Sequence, residues 1–270
     1  MKNYTEYPKI IPINDTYQTE PNQKKVIFSS IRFYYDLIKI VKFSNNQTKL
    51  KIYDRYNWVA SSLAVLKAAE GAGMQINVKG MKHLNDFDGP AVIIGNHMST
   101  LETLLLPSFI QPVRSVCFVI KKQLTDFPLF GQVAAARHPI IVGRTNPRED
   151  LKIVMEDGSE NLKKDRSIII FPQKTRTSSF DRTSFNSLGV KLAKKNDVPV
   201  IPLALITDAW SNGKIIKELG KININKKVWF EFGEPLKITG NGNEQHEIIL
   251  NFIENKFIEW NRSDLLVKPV

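Results

Sequence analysis

His97 and Glu102 stand five residues apart in the run Gly95-Asn96-His97-Met98-Ser99-Thr100-Leu101-Glu102. An imidazole held by a carboxylate through one ring nitrogen keeps the other nitrogen free to take a proton from a hydroxyl. The spacing alone does not select this pair. Acidic residues number 27 in 270, so each of the four histidines has about a one-in-ten chance of an acid at that offset. His83 has one as well, in Asp88. Context separates the two, because His83 sits in a polar stretch while His97 closes the apolar run Ala91-Val92-Ile93-Ile94 where a helix begins. On a regular helix, positions five apart point roughly 140° away from each other. The pair therefore meets only if His97 lies in the turn before the helix and Glu102 on its first turn. Ser99 followed three residues later by Glu102 reads as a capping box that starts the helix at Ser99. Glu102 is then a helix cap, an orienter of His97, or both, since a carboxylate has two oxygens.

A second polar cluster, Phe171-Pro172-Gln173-Lys174-Thr175-Arg176-Thr177, follows another apolar run, Ser167-Ile168-Ile169-Ile170. Lys174 and Arg176, with the hydroxyls of Thr175 and Thr177, are suitable donors for a phosphate. Arg144 follows Pro139-Ile140-Ile141-Val142 and opens the Thr145-Asn146-Pro147 turn. Any one of these cations would read as a solvated surface charge. Three at strand ends point to an anion site, because ligands of open α/β sheets collect at the carboxyl ends of strands. No G-x-S-x-G elbow occurs, which favours direct attack by a substrate hydroxyl over a covalent enzyme intermediate. Neither a Walker loop nor a G-x-G-x-x-G is present, so no nucleotide cofactor is expected. His138 and His246 have no ligand-spaced companions, and no metal is expected.

The elements that must position these groups can be read from periodicity. Short apolar runs at 74–79, 90–95, 113–120, 139–143, 167–171, 198–205 and 227–232 alternate with amphipathic stretches at about 99–111, 147–163, 184–195 and 244–260. That alternation predicts an α/β fold with one largely parallel sheet covered by helices on both faces. Residues 1–23 read as an extended arm, 24–73 as a basic amphipathic helical pair, and 74–270 as the α/β domain. In the first helix, about 24–43, Lys25, Ser29, Arg32, Asp36, Lys39 and Lys42 form a narrow polar stripe and apolar residues cover the rest. Such a helix lies in a bilayer interface or packs against a neighbour. Ser44-Asn45-Asn46-Gln47 is expected to break it, before a second helix from about Ile52 to Ala69 that stops at Gly71-Ala72-Gly73.

Composition narrows the function classes. With 42% hydrophobic and 24% charged residues the chain is a folded protein, and its lone cysteine, Cys117, excludes a disulfide framework. No apolar run approaches the ~18 to 20 residues of a spanning helix. The start, MKNYTEYPKIIPINDT, lacks the layout of a secretory signal, so a cytoplasmic protein is expected. The net charge of +11 is uneven: residues 24–82 hold eleven Lys/Arg against three Asp/Glu. That excess suits an anionic phospholipid surface or a nucleic acid. No recognisable nucleic-acid-binding module accompanies it, and no nucleic-acid partner is expected.

The order of motifs resembles the 1-acylglycerol-3-phosphate acyltransferase family, within the glycerolipid acyltransferases that carry an H-x4-D dyad. The resemblance rests on Asn96-His97-x4-Glu102, Arg144, Phe171-Pro172-x-x-Thr175-Arg176 and Val198-Pro199-Val200-Ile201-Pro202, in that order. It extends over about residues 74–236. It implies a glycerol-3-phosphate acyltransferase-like fold, with transfer of a fatty acyl chain from acyl-CoA or acyl-ACP to a lysophospholipid hydroxyl and no further cofactor. By the same resemblance His97 is the base, Glu102 its orienter, and Arg144 and Arg176 the phosphate holders. Asn96 and Ser99 shape the site, and Val198 to Pro202 line the acyl or thioester region. The enzyme would sit peripherally on the inner face of the membrane. Two departures stand out: Glu102 replaces the usual Asp, and Gln173-Lys174 replace Glu-Gly. They leave the dyad chemistry in place and bear on the acceptor, so glycerol 3-phosphate, another lysophospholipid or a glycolipid are alternatives. A non-catalytic lipid-binding relative is the further alternative.

Overall fold

The alternating runs become one eight-stranded sheet in the computed structural model, which describes residues 15–20, 26–173, 175–213, 217 and 219–267. In chain order β1 (Tyr17–Gln18), α1 (Ser29–Lys49) and α2 (Arg55–Gly71) come first. Then follow β2 (Ile76–Lys79), β3 (Val92–Gly95), α3 (Leu101–Ile110), β4 (Val116–Lys121), α4 (Lys122–Thr125), α5 (Phe130–Ala135) and β5 (Ile140–Val142). The last elements are α6 (Pro147–Lys163), β6 (Ser167–Ile170), α7 (Leu188–Asn196), β7 (Val200–Ile206), β8 (Val228–Phe232) and α8 (Asn243–Glu259). All seven expected strands appear, with ends that move by up to three residues. The arm contributes β1, which pairs antiparallel with β2; its residues 1–14 and 21–23 lie outside the described residues, as do Lys24 and Lys25.

The sheet order is β1-β2-β8-β7-β3-β6-β4-β5. From β7 to β5 all neighbours are parallel, while β7 and β8 pair antiparallel. The carboxyl ends of β7, β3 and β6 therefore lie side by side at one edge of the sheet.

Strand register assigns the two faces. Val92 pairs with Ile168 and Ile94 with Ile170, so these share one face, while Ile93, Ile169 and Phe118 point to the other. On the first face α7 packs so closely that a Cβ at Gly189 would stand 2.5 Å from Ile94. The second face is covered by α2 and α3, with Trp58 against Phe118 and Phe109 against Phe230. One apolar core thus runs from Phe33 and Leu37 of α1 through α2 to the sheet.

The stretch Ser44-Asn45-Asn46-Gln47 does not break α1, which runs on to Lys49. Polar side chains disfavour a helix when they bond their own backbone in other conformations. Here Ser44 and Asn45 are buried, and Gln47 Nε2 donates to Asn57 Oδ1 of α2 at 2.7 Å. Packing against α2 takes up the Gln47 side chain, while Asn45 Oδ1 is buried without a hydrogen-bond partner.

Candidate active site

β3 ends at Gly95 against β7, where a Cβ would stand 2.9 Å from the Leu203 carbonyl oxygen. Asn96 extends that pairing by one side chain. Its Nδ2 donates to the Leu205 carbonyl at 2.8 Å and its Oδ1 accepts the Leu205 N–H at 2.9 Å. The turn that follows is fixed from the other side by Gln173. Its Oε1 accepts the His97 N–H at 2.6 Å, and its Nε2 donates to Thr177 Oγ1 at 2.7 Å. The Thr177 N–H in turn donates to the His97 carbonyl at 3.0 Å. Gln173 and Asn96 are both buried. Gln173 bonds the backbone of the histidine turn, and Asn96 ties that turn to the backbone of β7.

His97 and Glu102 meet across that turn, with Nδ1 2.8 Å from Oε1. Glu102 is fully buried and collects donors on both oxygens. Oε1 also accepts the N–H groups of Met98 at 2.7 Å and Ser99 at 2.8 Å. Oε2 lies 2.9 Å from Ser99 Oγ and 2.7 Å from Thr207 Oγ1. Ser99 Oγ accepts the Leu101 N–H at 3.1 Å, and α3 opens at Leu101 with Thr100 as its N-cap. Glu102 is both cap and orienter. Burial is the largest influence on its carboxyl and pushes it up. The hydrogen bond and charge of His97, the Thr207 hydroxyl and the backbone together outweigh burial and hold it below the ordinary carboxylate value. An ionised carboxylate only accepts, so Nδ1 carries a proton, and in the neutral imidazole the lone pair is on Nε2. Among the described residues Nε2 has no hydrogen-bond partner, and 19% of the side chain is exposed. The imidazole stacks on Phe171, with centroids 4.5 Å apart and planes 5° from parallel.

The phosphate candidates are placed unequally. The Arg176 guanidinium donates to Thr100 Oγ1 at the start of α3, next to the dyad. Thr175 Oγ1 is 3.5 Å from Lys217 Nζ, a contact for which the sequence offered no signal. Lys174 lies outside the described residues. Arg144 follows β5, three strands from β3, or roughly 14 Å at the usual strand spacing. Its backbone N–H donates to the Asp150 carboxylate, and its side chain is exposed. His83, the other histidine with an acid at five residues, bonds Asp86 instead, at 2.7 Å. Burial pushes the Cys117 thiol up to about 11, which removes it as a nucleophile at neutral pH.

Residues 75–206, which span β2 to β7, match the family model described as Acyltransferase. The 1-acyl-sn-glycerol-3-phosphate acyltransferase of Pseudomonas aeruginosa is 32% identical over 148 residues, covering 55% of this chain and 55% of that protein. Over this segment the chain is similar to the 1-acylglycerol-3-phosphate acyltransferase family. Another relative of the same name, from Saccharomyces cerevisiae, is 26% identical over 181 residues, or 61% of this chain and 58% of that one. The aligned parts thus span little more than half of these relatives. The fold is that of the crystal structure of the 1-acyl-sn-glycerophosphate acyltransferase PlsC from Thermotoga maritima. It superposes with a TM-score of 0.64 at 18% identity, over 86% of this chain and 95% of that one.

The acyltransferase resemblance set Val198 to Pro202 at the acyl or thioester region. The segment Val198 to Pro202 enters β7 from the far end of the sheet, with Val200 paired to Val92, and Val200 and Ile201 are fully buried core. The opposite end of β7 reaches the dyad instead, through Thr207. Beyond it, the described residues 208–213 and 219–223 contact both the site and α1. Asn212 Nδ2 donates to the Met98 carbonyl at 3.0 Å, and the Ile222 N–H donates to Ser30 Oγ at 3.0 Å. The first turns of α1 therefore stand at the end of the sheet that carries His97. Phe28, just before that helix, is 73% exposed, and within it Ile31 is 68% and Tyr35 60% exposed.

Proposed function

We propose that the protein transfers a fatty acyl chain from an acyl thioester, carried by coenzyme A or acyl carrier protein, to the hydroxyl of a lysophosphatidate-like acceptor. The observation that carries this reading is the buried, fully bonded Glu102 carboxylate on Nδ1 of His97. It commits Nε2 to the role of base. Nε2 takes the hydroxyl proton as the acceptor oxygen attacks the thioester carbonyl carbon. The tetrahedral adduct collapses with loss of the thiolate, and the imidazolium returns the proton to sulfur. The ester C–O bond forms, the C–S bond breaks and no electron is left over. Arg176 and Thr175, with Lys174 from the same segment, supply donors for the acceptor phosphate, and Arg144 adds a cation farther along the same sheet edge.

The reaction would take place at an anionic membrane surface on the cytoplasmic side. Support comes from the start of α1 and the residues just before it, where exposed Ile27, Phe28, Ile31, Tyr35 and Ile38 accompany Arg32, Lys39 and Lys42. Docking there would keep both acyl chains out of water, at about 0.8 kcal/mol per buried methylene. No helix among the described residues is long and apolar enough to cross a membrane.

The test supplies purified protein and anionic vesicles with acyl-CoA or acyl-ACP and a mixed lysolipid pool. Thiol release and mass spectrometry of the lipids formed are followed together. The expected result is phosphatidate made from lysophosphatidate and lost in His97→Ala with the fold retained. Absence of any thioester-dependent ester, or undiminished turnover in His97→Ala, overturns the reading. A different ester as main product assigns another acceptor.

A further inference from the structure

Thr207 is the residue after β7 and one position beyond the segment matched by the family model. It is fully buried, and its Oγ1 stands 2.7 Å from Glu102 Oε2 and 2.9 Å from Ser99 Oγ. We infer that Thr207 is a positioning residue that fixes the plane of the Glu102 carboxylate and, through it, the His97 ring. The inference rests on the acyl-transfer reading of the dyad proposed above.

The argument is one of origin. Every other donor to Glu102 comes from residues 97 to 99, the same turn that carries the histidine. Those bonds shift when the turn shifts, so they cannot hold the carboxylate against the sheet. Thr207 lies 105 positions away, at the end of a central strand that is paired on both sides. Among the described residues it is the tether between that strand and the carboxylate. The same strand holds the histidine turn through Asn96 and Leu205. Both members of the dyad are thus referred to one rigid element. The need for such a tether follows from side-chain length. Glutamate has one more rotatable bond than aspartate, and freezing it requires an added contact. Oε1 faces His97 while Oε2 faces Thr207, so the hydroxyl also decides which oxygen the imidazole receives.

The experiment compares Thr207→Val, which keeps shape and removes the donor, with Thr207→Ser, which keeps the donor. Removing a hydrogen bond to a buried charged group is expected to lower kcat about tenfold or more in Thr207→Val. KM for acceptor and thioester stays within about twofold, since the hydroxyl does not touch them. The acid limb of the pH–rate profile moves to higher pH, because a carboxylate stripped of a donor keeps its proton to higher pH. Thr207→Ser restores both readouts. A second readout needs no substrate: solvent exchange of the His97 Nδ1 proton, followed in 15N-histidine spectra and assigned by its loss in His97→Ala. Exchange is expected to quicken in Thr207→Val and to stay slow in Thr207→Ser. Should valine prevent folding, Thr207→Ala is read by the same measurements. Equal exchange in wild type, Val and Ser overturns the inference, as does an unchanged kcat and pH profile. A wild type that releases no thiol refutes the acyl-transfer reading alone, and the exchange rates still decide the role of Thr207.

Discussion

At the scale of single residues, Glu102 joins two demands that the sequence left side by side. As a cap it needs only an acceptor oxygen, and as an orienter it needs charge. Glu102→Gln keeps an acceptor but surrenders charge and adds an NH2 donor, in a pocket built from donors. That change is expected to cut kcat by about a hundredfold or more while the helix remains. Glu102→Asp keeps the charge and loses one methylene, and activity is expected to stay within about tenfold of wild type. Steady-state kinetics with circular dichroism check both, and a Gln variant as fast as wild type reduces Glu102 to a cap. The depressed carboxyl of Glu102 also couples to stability. A group whose folded pKa lies below its unfolded value, near ~4.3, contributes fully above that value. Its contribution is lost as pH falls through the folded value. Urea midpoints of wild type are therefore expected to drop more steeply below about pH 4.5 than those of Glu102→Gln. Parallel curves for the two proteins would remove this linkage.

At the scale of elements, α1 has two unlike faces. Phe33 is fully buried, against Trp210 and Tyr34, while Ile31 and Ile38 face outward. The sequence allowed either an interfacial helix or a packed one. Packing takes one side of the helix and leaves the other apolar side uncovered, so both readings describe part of it. Replacing Ile31 and Ile38 together by Glu is expected to weaken sedimentation with anionic vesicles at least about tenfold, since each side chain otherwise buries roughly 1.5–3 kcal/mol of apolar surface. The melting temperature stays the same, because neither residue belongs to the core. A large fall in melting temperature would show that this face is packed rather than offered to a surface.

At the scale of the whole molecule, the helical pair and the sheet share a core. The Trp58 ring of α2 packs tilted against Phe118 of β4, and the Arg137 guanidinium, in the loop before β5, lies 4.6 Å from the Trp58 ring. Trp58→Ala is expected to cost about 3–5 kcal/mol. It should lower one common unfolding transition of both parts, seen by near- and far-ultraviolet dichroism. Separate transitions would show that residues 24–73 fold apart from the rest.

Much of this architecture was legible because β3, β6 and β7 are continuous apolar runs that pair on both sides, and α6 and α8 carry sustained helical periodicity. The short α4 and α5, of four and six residues, hold too few turns to show a period. The dyad could be read from local rules alone: a strand end, a capping box and a five-residue offset place His97 and Glu102 within one turn. Gln173 could be found as part of a motif, though its task of holding the His97 backbone could not, since the bond spans 76 positions. Thr207 carried no local signal. A hydroxyl after a strand is common, and only the pairing of β3 with β7 sets it beside the carboxylate. The sequence by itself therefore determined the chemistry that neighbours along the chain can perform together. The tertiary structure alone decided which distant side chains hold that chemistry in place, because strand order is set by the packing of whole faces and no local pattern records it.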